Sequence, residues 1–332
     1  MGMKTEKNPQ NDLVVLIPAR NEANRIPFAL KALYDSYLLP DQNLKVVVCA
    51  NACTDNTLEV LEQLKLSHKN LDVVLEPVPG KPRALNTLLD KWEKEFRLNG
   101  RDTIVLLDAN AEVQPDTIAE LSWMLHSDNG LSAVSANEVT LPPISQSFLD
   151  HLLFGISDFS ISAIAMRDRK SSCTAVKADK MKGVRFPENV ISEDLWLAMH
   201  LNPEKVETHP VAFTVKDRPK NFFSASRKKV RSLMGLYQLE DFFEPHSIRE
   251  EFPMGTHEHV QAFFSEPELQ EHFLELPSVY KLANVASIPY HAALKAVAWA
   301  GYRLWPRENI NSNPVTIPEE ARSPVQNPVS SI

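Results

Sequence analysis

Cysteine is scarce. Cys49, Cys53 and Cys173 are the three in 332 residues, too few and too oddly spaced for a disulfide framework or a tetrathiolate metal site, so a reducing compartment is the default expectation. A surplus of positive charge is also missing. Lys and Arg number 35 against 43 Asp and Glu, a formal net charge of −8, which argues against a protein that coats nucleic acid, since such binding needs a basic face that releases counterions. Met1 to Asp12 is polar and has no apolar core of a secretory leader, which predicts a protein that stays where it is made. No apolar run has spanning length. The most apolar late stretch, Ile288 to Trp305, is interrupted by His291, Lys295 and Arg303. Its aromatics, Tyr290, Trp299, Tyr302 and Trp305, leave two readings open: a helix packed on its own domain, or one lying at a lipid interface. No internal repeat is visible.

What is present is the composition of an ordinary globular protein, 43% hydrophobic and 23% charged. Leu13 to Ile17 is an unbroken apolar run, the mark of a strand buried on both faces of a parallel sheet. A helical pattern over Asn24 to Leu39 follows, then a strand over Lys45 to Ala50, a helix through Leu66, a strand over Leu71 to Glu76, a helix over Arg83 to Phe96 and a strand over Thr103 to Leu107. This alternation predicts an α/β domain with a mostly parallel sheet flanked by helices, and ligands at the carboxyl ends of the strands. Beyond Asp116 the pattern loosens into a helix to His126, a strand near Leu131 to Asn137 and a helical region around Phe148 to Met166.

The residues after each strand carry the chemistry. Pro18, Ala19, Arg20, Asn21 and Glu22 form a polar turn in which Glu22 is placed to accept from ribose hydroxyls, while Asn21 or Asn24 alternatively caps the next helix. Asn51 to Thr57 puts Asp55 beside a helix N-terminus, where it caps free amides or receives a base N–H. Gly80-Lys81-Pro82-Arg83 reads as a loop with two cations suited to a diphosphate. It lacks the Gly-x-x-x-x-Gly-Lys-Ser/Thr arrangement, which speaks against ATP or GTP hydrolysis. Asp108, Ala109 and Asn110 follow the buried fourth strand, and a turn there aims hard oxygen donors at one Mg²⁺ or Mn²⁺.

Taken in order, IPARNE, NACTDNT, GKPRALN, LLDAN and the later ISEDLWLAMHL resemble the motif series of family 2 glycosyltransferases over roughly residues 12 to 235. The resemblance implies a GT-A (Rossmann-like) fold and a nucleotide-sugar donor, with a uridine diphosphate sugar the commonest in the family. It implies that Pro18, Ala19, Arg20 and Glu22 line the nucleotide pocket with Asn51, that Asp55 bonds the base, and that Lys81 and Arg83 approach the pyrophosphate. A divalent cation, Mn²⁺ or Mg²⁺, would sit at Asp108 and Asn110, with Ala109 between them among the donor-binding residues, although Asn110 stands where the family usually has a second Asp. Asp194, with Glu193 beside it, matches the carboxylate used as catalytic base on the acceptor hydroxyl, giving inversion at the anomeric carbon. Where processive synthases carry Gln-x-x-Arg-Trp, this sequence has Lys228, Arg231 and Ser232. Only Arg231 matches, so a single-transfer enzyme is expected, with Arg231 a candidate diphosphate ligand. His257 and His259 are candidate additional metal ligands, at most one of them ligating.

The expected organisation is a flexible N-terminus over 1–11, a GT-A domain over 12–235, a mainly helical extension over 236–305 that serves as an acceptor lid or a membrane-facing helix, and a Pro-rich tail over 306–332. No nucleic acid and no transmembrane segment are expected. The location expected is cytoplasmic, with peripheral contact to the inner face of a membrane left open. Two other functions are alternatives: a sugar-phosphate nucleotidyltransferase, whose glycine-rich basic loop after the first strand is replaced here by IPARNE, and a non-catalytic binding protein that retains the fold.

Overall fold

In a computed structural model of the chain, the described residues are 11–40, 42–95, 102–140, 171–216 and 221–244, together with 296, 297 and 300. The elements in order are β1 (Asn11–Ala19), α1 (Ile26–Tyr34), β2 (Gln42–Asn51), α2 (Thr57–Ser67), β3 (Leu71–Glu76), α3 (Lys81–Glu95), β4 (Thr103–Leu107), β5 (Ala111–Val113), α4 (Thr117–Ser127), β6 (Ala133–Thr140), β7 (Cys173–Lys177), α5 (Ala178–Met181), α6 (Glu193–His200), β8 (Val206–Lys216) and α7 (Phe222–Gln238). The helical segment expected around Phe148 to Met166, the tail and most of the expected extension lie outside the described residues.

One eight-stranded sheet runs in the order β3-β2-β1-β4-β7-β6-β8-β5. Its first half is parallel, with β1 between β2 and β4 and β3 outside β2. Its second half is mixed: β7 runs antiparallel to β4 and to β6, while β6 and β8 are parallel and β5 closes antiparallel on β8. The reason for the first half is in β1 itself. Leu13, Val15 and Ile17 pack with α1, α2 and α4 on one face, and Val14 and Leu16 pack with α3 on the other. A strand with both faces covered has no solvent side to keep polar, so its sequence does not alternate.

Helix α3 shows the complementary logic. Ala84, Leu85, Leu88, Leu89 and Trp92 recur at helical spacing and are all buried, making one apolar stripe laid against β1, β2 and β3. Its start corrects the sequence reading in one respect. Lys81 is the first residue of α3 and not part of a loop, because Gly80 makes the turn before it at φ +148, a region L side chains rarely enter, and Pro82 sits in the first turn, where its missing N–H costs nothing. Helix α1 is likewise shorter than its pattern, running only from Ile26 to Tyr34.

Candidate active site

The carboxyl ends of the parallel strands carry the first three motifs. After β1, Asn21 adopts φ +56, and its side chain binds Thr54: Thr54 N–H donates to Asn21 Oδ1 at 2.8 Å and Asn21 Nδ2 donates to Thr54 Oγ1 at 3.1 Å. Asp55 bridges the same two loops. Its Oδ1 accepts from Thr57 N at 3.0 Å and from Thr57 Oγ1 at 2.6 Å, and its Oδ2 accepts from Ala23 N at 3.3 Å. Thr57 Oγ1 accepts in turn from Glu22 N at 2.8 Å. Asp55, which precedes the N-cap Asn56, therefore satisfies the first amide of α2 and ties the β1 turn to it. Pro18, Arg20 and Glu22 are partly exposed on this shared ledge, and Ala19 is buried beneath it.

Asn51 is only 2% exposed and braces the next loop. It donates to Val78 O at 2.6 Å and Glu76 O at 3.3 Å, and its Oδ1 accepts from Gly80 N at 2.9 Å. The sequence reading placed it among the nucleotide contacts; here its side chain instead sets the turn that aims Lys81. Arg83, the third residue of α3, pairs with Glu188.

Lys81 is the centre of the site. Its Nζ is 2.6 Å from Asp108 Oδ1 and also pairs with Glu193. Asp108 follows β4, with Ala109 and Asn110 in the turn that leads to β5. Its Oδ2 is 3.0 Å from Nζ of Lys216, the last residue of β8, which also reaches Glu138 Oε2 on β6 at 2.9 Å. Burial alone would raise the Asp108 pKa, but Lys81 and Lys216 overcome it and hold the carboxyl far below the usual range. Burial likewise opposes the charge on Lys81, and Asp108 and Glu193 more than reverse it. For Lys216 the reversal comes from Asp108 and Glu138. The sequence reading missed Lys216 and Glu138. No motif marks either, and only strand pairing across the second half of the sheet brings them in.

Glu193 and Asp194 open α6. Asp194 Oδ1 accepts from Ser192 Oγ at 2.8 Å and from Leu195 N at 2.9 Å, whereas Oδ2 receives no hydrogen bond among the described residues. The segment before it is gripped from two sides. Asn86 of α3 exchanges bonds with the backbone of Phe186, donating at 2.9 Å and accepting at 2.8 Å. Gln238 of α7 accepts from Ile191 N at 2.8 Å and donates to Asn189 O at 2.7 Å. Gly235 of α7 lies so close that a Cβ there would stand 2.6 Å from Ser192 Cβ. Pro18, Lys81, Asp108, Glu193 and Asp194, with Ser135, Ser172 and Thr174, line a cavity of about 30 Å³. Arg231 lies exposed on α7. His257 and His259 lie outside the described residues.

The buried thiols of Cys49 and Cys173 are disfavoured as thiolates. Burial first, then Glu76, pushes Cys49 up to about 12, and burial, then Asp108, does the same to Cys173.

A divalent cation is implied by the resemblance, and the donors at Asp108 fit it in part. The carboxylate is fully ionised and followed by a carboxamide, and Mg²⁺-type sites often need only one or two carboxylates when substrate phosphates complete the shell. Among the described residues no group of three His, Cys, Asp or Glu side chains could hold a metal ion.

This is an α/β protein with a cluster of carboxylates and ammonium groups at the carboxyl ends of its strands, where open α/β sheets bind ligands. Residues 14–166 match the model of the family described as Glycosyl transferase family 2, and this match supports a glycosyltransferase. No curated protein matches. Among solved structures, a mannosyltransferase from Pyrobaculum calidifontis in complex with GDP-Man and Mn²⁺ is similar at 22% identity and a TM-score of 0.57, covering 88% of this chain and 87% of its own, which shows the GT-A fold. S. aureus TarS, residues 1–349 in complex with UDP-GlcNAc, is also similar, at 14% identity and a TM-score of 0.49, covering 91% and 92% of the two chains. Among the described residues no helix is long and apolar enough to cross a membrane.

Proposed function

We propose that the chain is an inverting, single-transfer enzyme that moves a sugar from a nucleoside diphosphate sugar, with a UDP-sugar favoured, to an acceptor hydroxyl. The observation that carries this reading is Asp194: one carboxylate oxygen is pinned by Ser192 and Leu195 while the other is left unbonded among the described residues, beside Lys81 and Asp108. A base held this way keeps one fixed lone pair for the acceptor proton. The acceptor oxygen forms the new bond to the anomeric carbon from the face opposite the leaving group. Its proton passes to Asp194 Oδ2, and the electron pair of the broken C–O bond leaves on the diphosphate. Lys81 neutralises that developing charge, with Arg83 and Arg231 further cations toward the phosphates.

Pro18, Ala19, Arg20, Glu22 and Asp55 form the ledge for base and ribose, with Asn51 supporting it from below. Glu193 orients Lys81. Asp108 and Asn110, with His257 or His259 as added ligands, would hold Mn²⁺ or Mg²⁺ together with the donor's phosphates. When bound, that cation supplies Lewis-acid charge neutralisation. The assigned catalytic domain is 12–235, and 236–305 is assigned to the acceptor side or a peripheral membrane contact. Single transfer is supported by Lys228 and Ser232 in place of the Gln and Trp of the processive motif. A cytoplasmic, reducing location fits the three free cysteines.

The test begins with calorimetry of nucleoside diphosphates and their sugars, with Mn²⁺, with Mg²⁺ and with chelator, followed by transfer or donor hydrolysis by Asp194→Asn. This isosteric variant should bind donor within about twofold of the wild type and lose about 10²- to 10⁴-fold in turnover. Unchanged turnover would remove Asp194 from the reaction.

A further inference from the structure

The cluster around Asp108 is already neutralised from within. Both of its oxygens face ammonium groups, Lys81 at 2.6 Å and Lys216 at 3.0 Å. Lys216 is held a second time by Glu138 at 2.9 Å, and Lys81 by Glu193. Its position is fixed by the sheet: in register it stands opposite Ala111 of β5 and Thr140 of β6, at the mouth beside the Asp108 turn. Its side chain is 23% exposed, so the ammonium can turn outward toward a ligand. A lysine suits such exchange, being a compact charge on a flexible stem.

We propose, resting on the donor-site reading above, that Lys216 is a counter-ion shared between Asp108 and the donor's diphosphate, so that a divalent cation enters the site only together with the nucleotide. A cation arriving alone at Asp108 meets two ammonium groups, and among the described residues their other anionic partners are Glu193 and Glu138, which they already hold. A diphosphate supplies new anionic oxygens. Lys216 and Lys81 move onto them, Asp108 is released, and cation and diphosphate are then bound as a pair. The coupling is reciprocal, since whatever factor the nucleotide adds to cation affinity the cation adds to nucleotide affinity. Lys216 is thereby a ligand of the donor as well as a gate on the metal.

The test measures Mn²⁺ binding by electron paramagnetic resonance and nucleotide binding by calorimetry, each with and without the other. UDP is the probe, or whichever nucleoside diphosphate of the panel binds. In the wild type, the nucleotide should tighten Mn²⁺ binding at least tenfold. In Lys216→Met, Mn²⁺ alone should bind at least threefold tighter, the nucleotide in chelator about tenfold weaker, and the coupling should shrink. Glu138→Gln, which leaves Lys216 with Asp108 alone among its described carboxylate partners, should move Mn²⁺ binding the opposite way, weakening it without nucleotide. Opposite signs from two neighbouring substitutions separate this role from general damage. Equal coupling in the wild type and Lys216→Met, or shifts of the same sign in both variants, would overturn the role of Lys216 while leaving donor binding intact. Failure of every nucleoside diphosphate to bind the wild type with Mn²⁺ would sink the donor-site reading and this inference with it.

Discussion

The two halves of the sheet differ in how they bring residues together. In β3-β2-β1-β4 each strand is followed by its own functional loop, and the loops meet because parallel neighbours end at the same edge. In β7-β6-β8-β5 parallel and antiparallel pairings are mixed, and the residues that matter arrive singly: Lys216 at the end of β8, Glu138 on β6, and Glu193 and Asp194 on a helix held from outside the sheet. The first half is a scaffold whose topology delivers a site. The second delivers charges and a base whose placement rests on individual contacts. It follows that substitutions in the second half should damage geometry more selectively.

The sharpest break in the comparison is expected where the halves meet. Lys81→Met removes the cation that joins Asp108 of the first half to Glu193 of the second, and should lower kcat/KM by about 10²- to 10³-fold, the range for losing one preorganised charge partner of a leaving group. Steady-state kinetics on any donor that turns over checks this. Next comes Gly235→Ala, where the added methyl collides with Ser192 and α7 must retreat. A loss of about 1–3 kcal/mol by denaturant unfolding is expected, accompanied by a fall in kcat larger than the rise in the donor's KM, since the displaced segment carries Asp194. Equal kinetics in that variant would show that α7 does not position the base. The smallest effect belongs to the scaffold half. Asn51→Ala strips bonds from Val78 O, Glu76 O and Gly80 N, and should cost about 1–2 kcal/mol of stability while raising donor KM only through the mispositioned Lys81.

Legibility followed the same division. Strands β1 and β4 were readable because burial leaves continuous apolar runs, and each functional segment was where a parallel α/β sheet puts it, directly after a strand. The reading of Gly80 to Arg83 as a loop missed that Lys81 opens α3, since Pro82 is as much at home in a first helical turn as in a loop. Asn51 was legible as a residue near the site but not as its brace, because that role depends on three backbone atoms of a loop 25 or more residues away. Lys216 was not legible at all. A lysine at the end of a half-buried strand looks like any other solvated charge until pairing across β6 and β5 sets it against Asp108.

The parallel pairing of β6 with β8 also has a kinetic meaning. Asn137 on β6 and His209 on β8 are 72 residues apart in the chain, yet they are joined by a hydrogen bond, and β5 can pair only after β8 has come between it and β6. Contacts of such separation close late, because loop entropy is spent before they return anything. During refolding, the nucleotide ledge should therefore be present before the charge cluster that would process its ligand. Nucleotide recognition and catalytic competence would then be acquired at different times by the same chain.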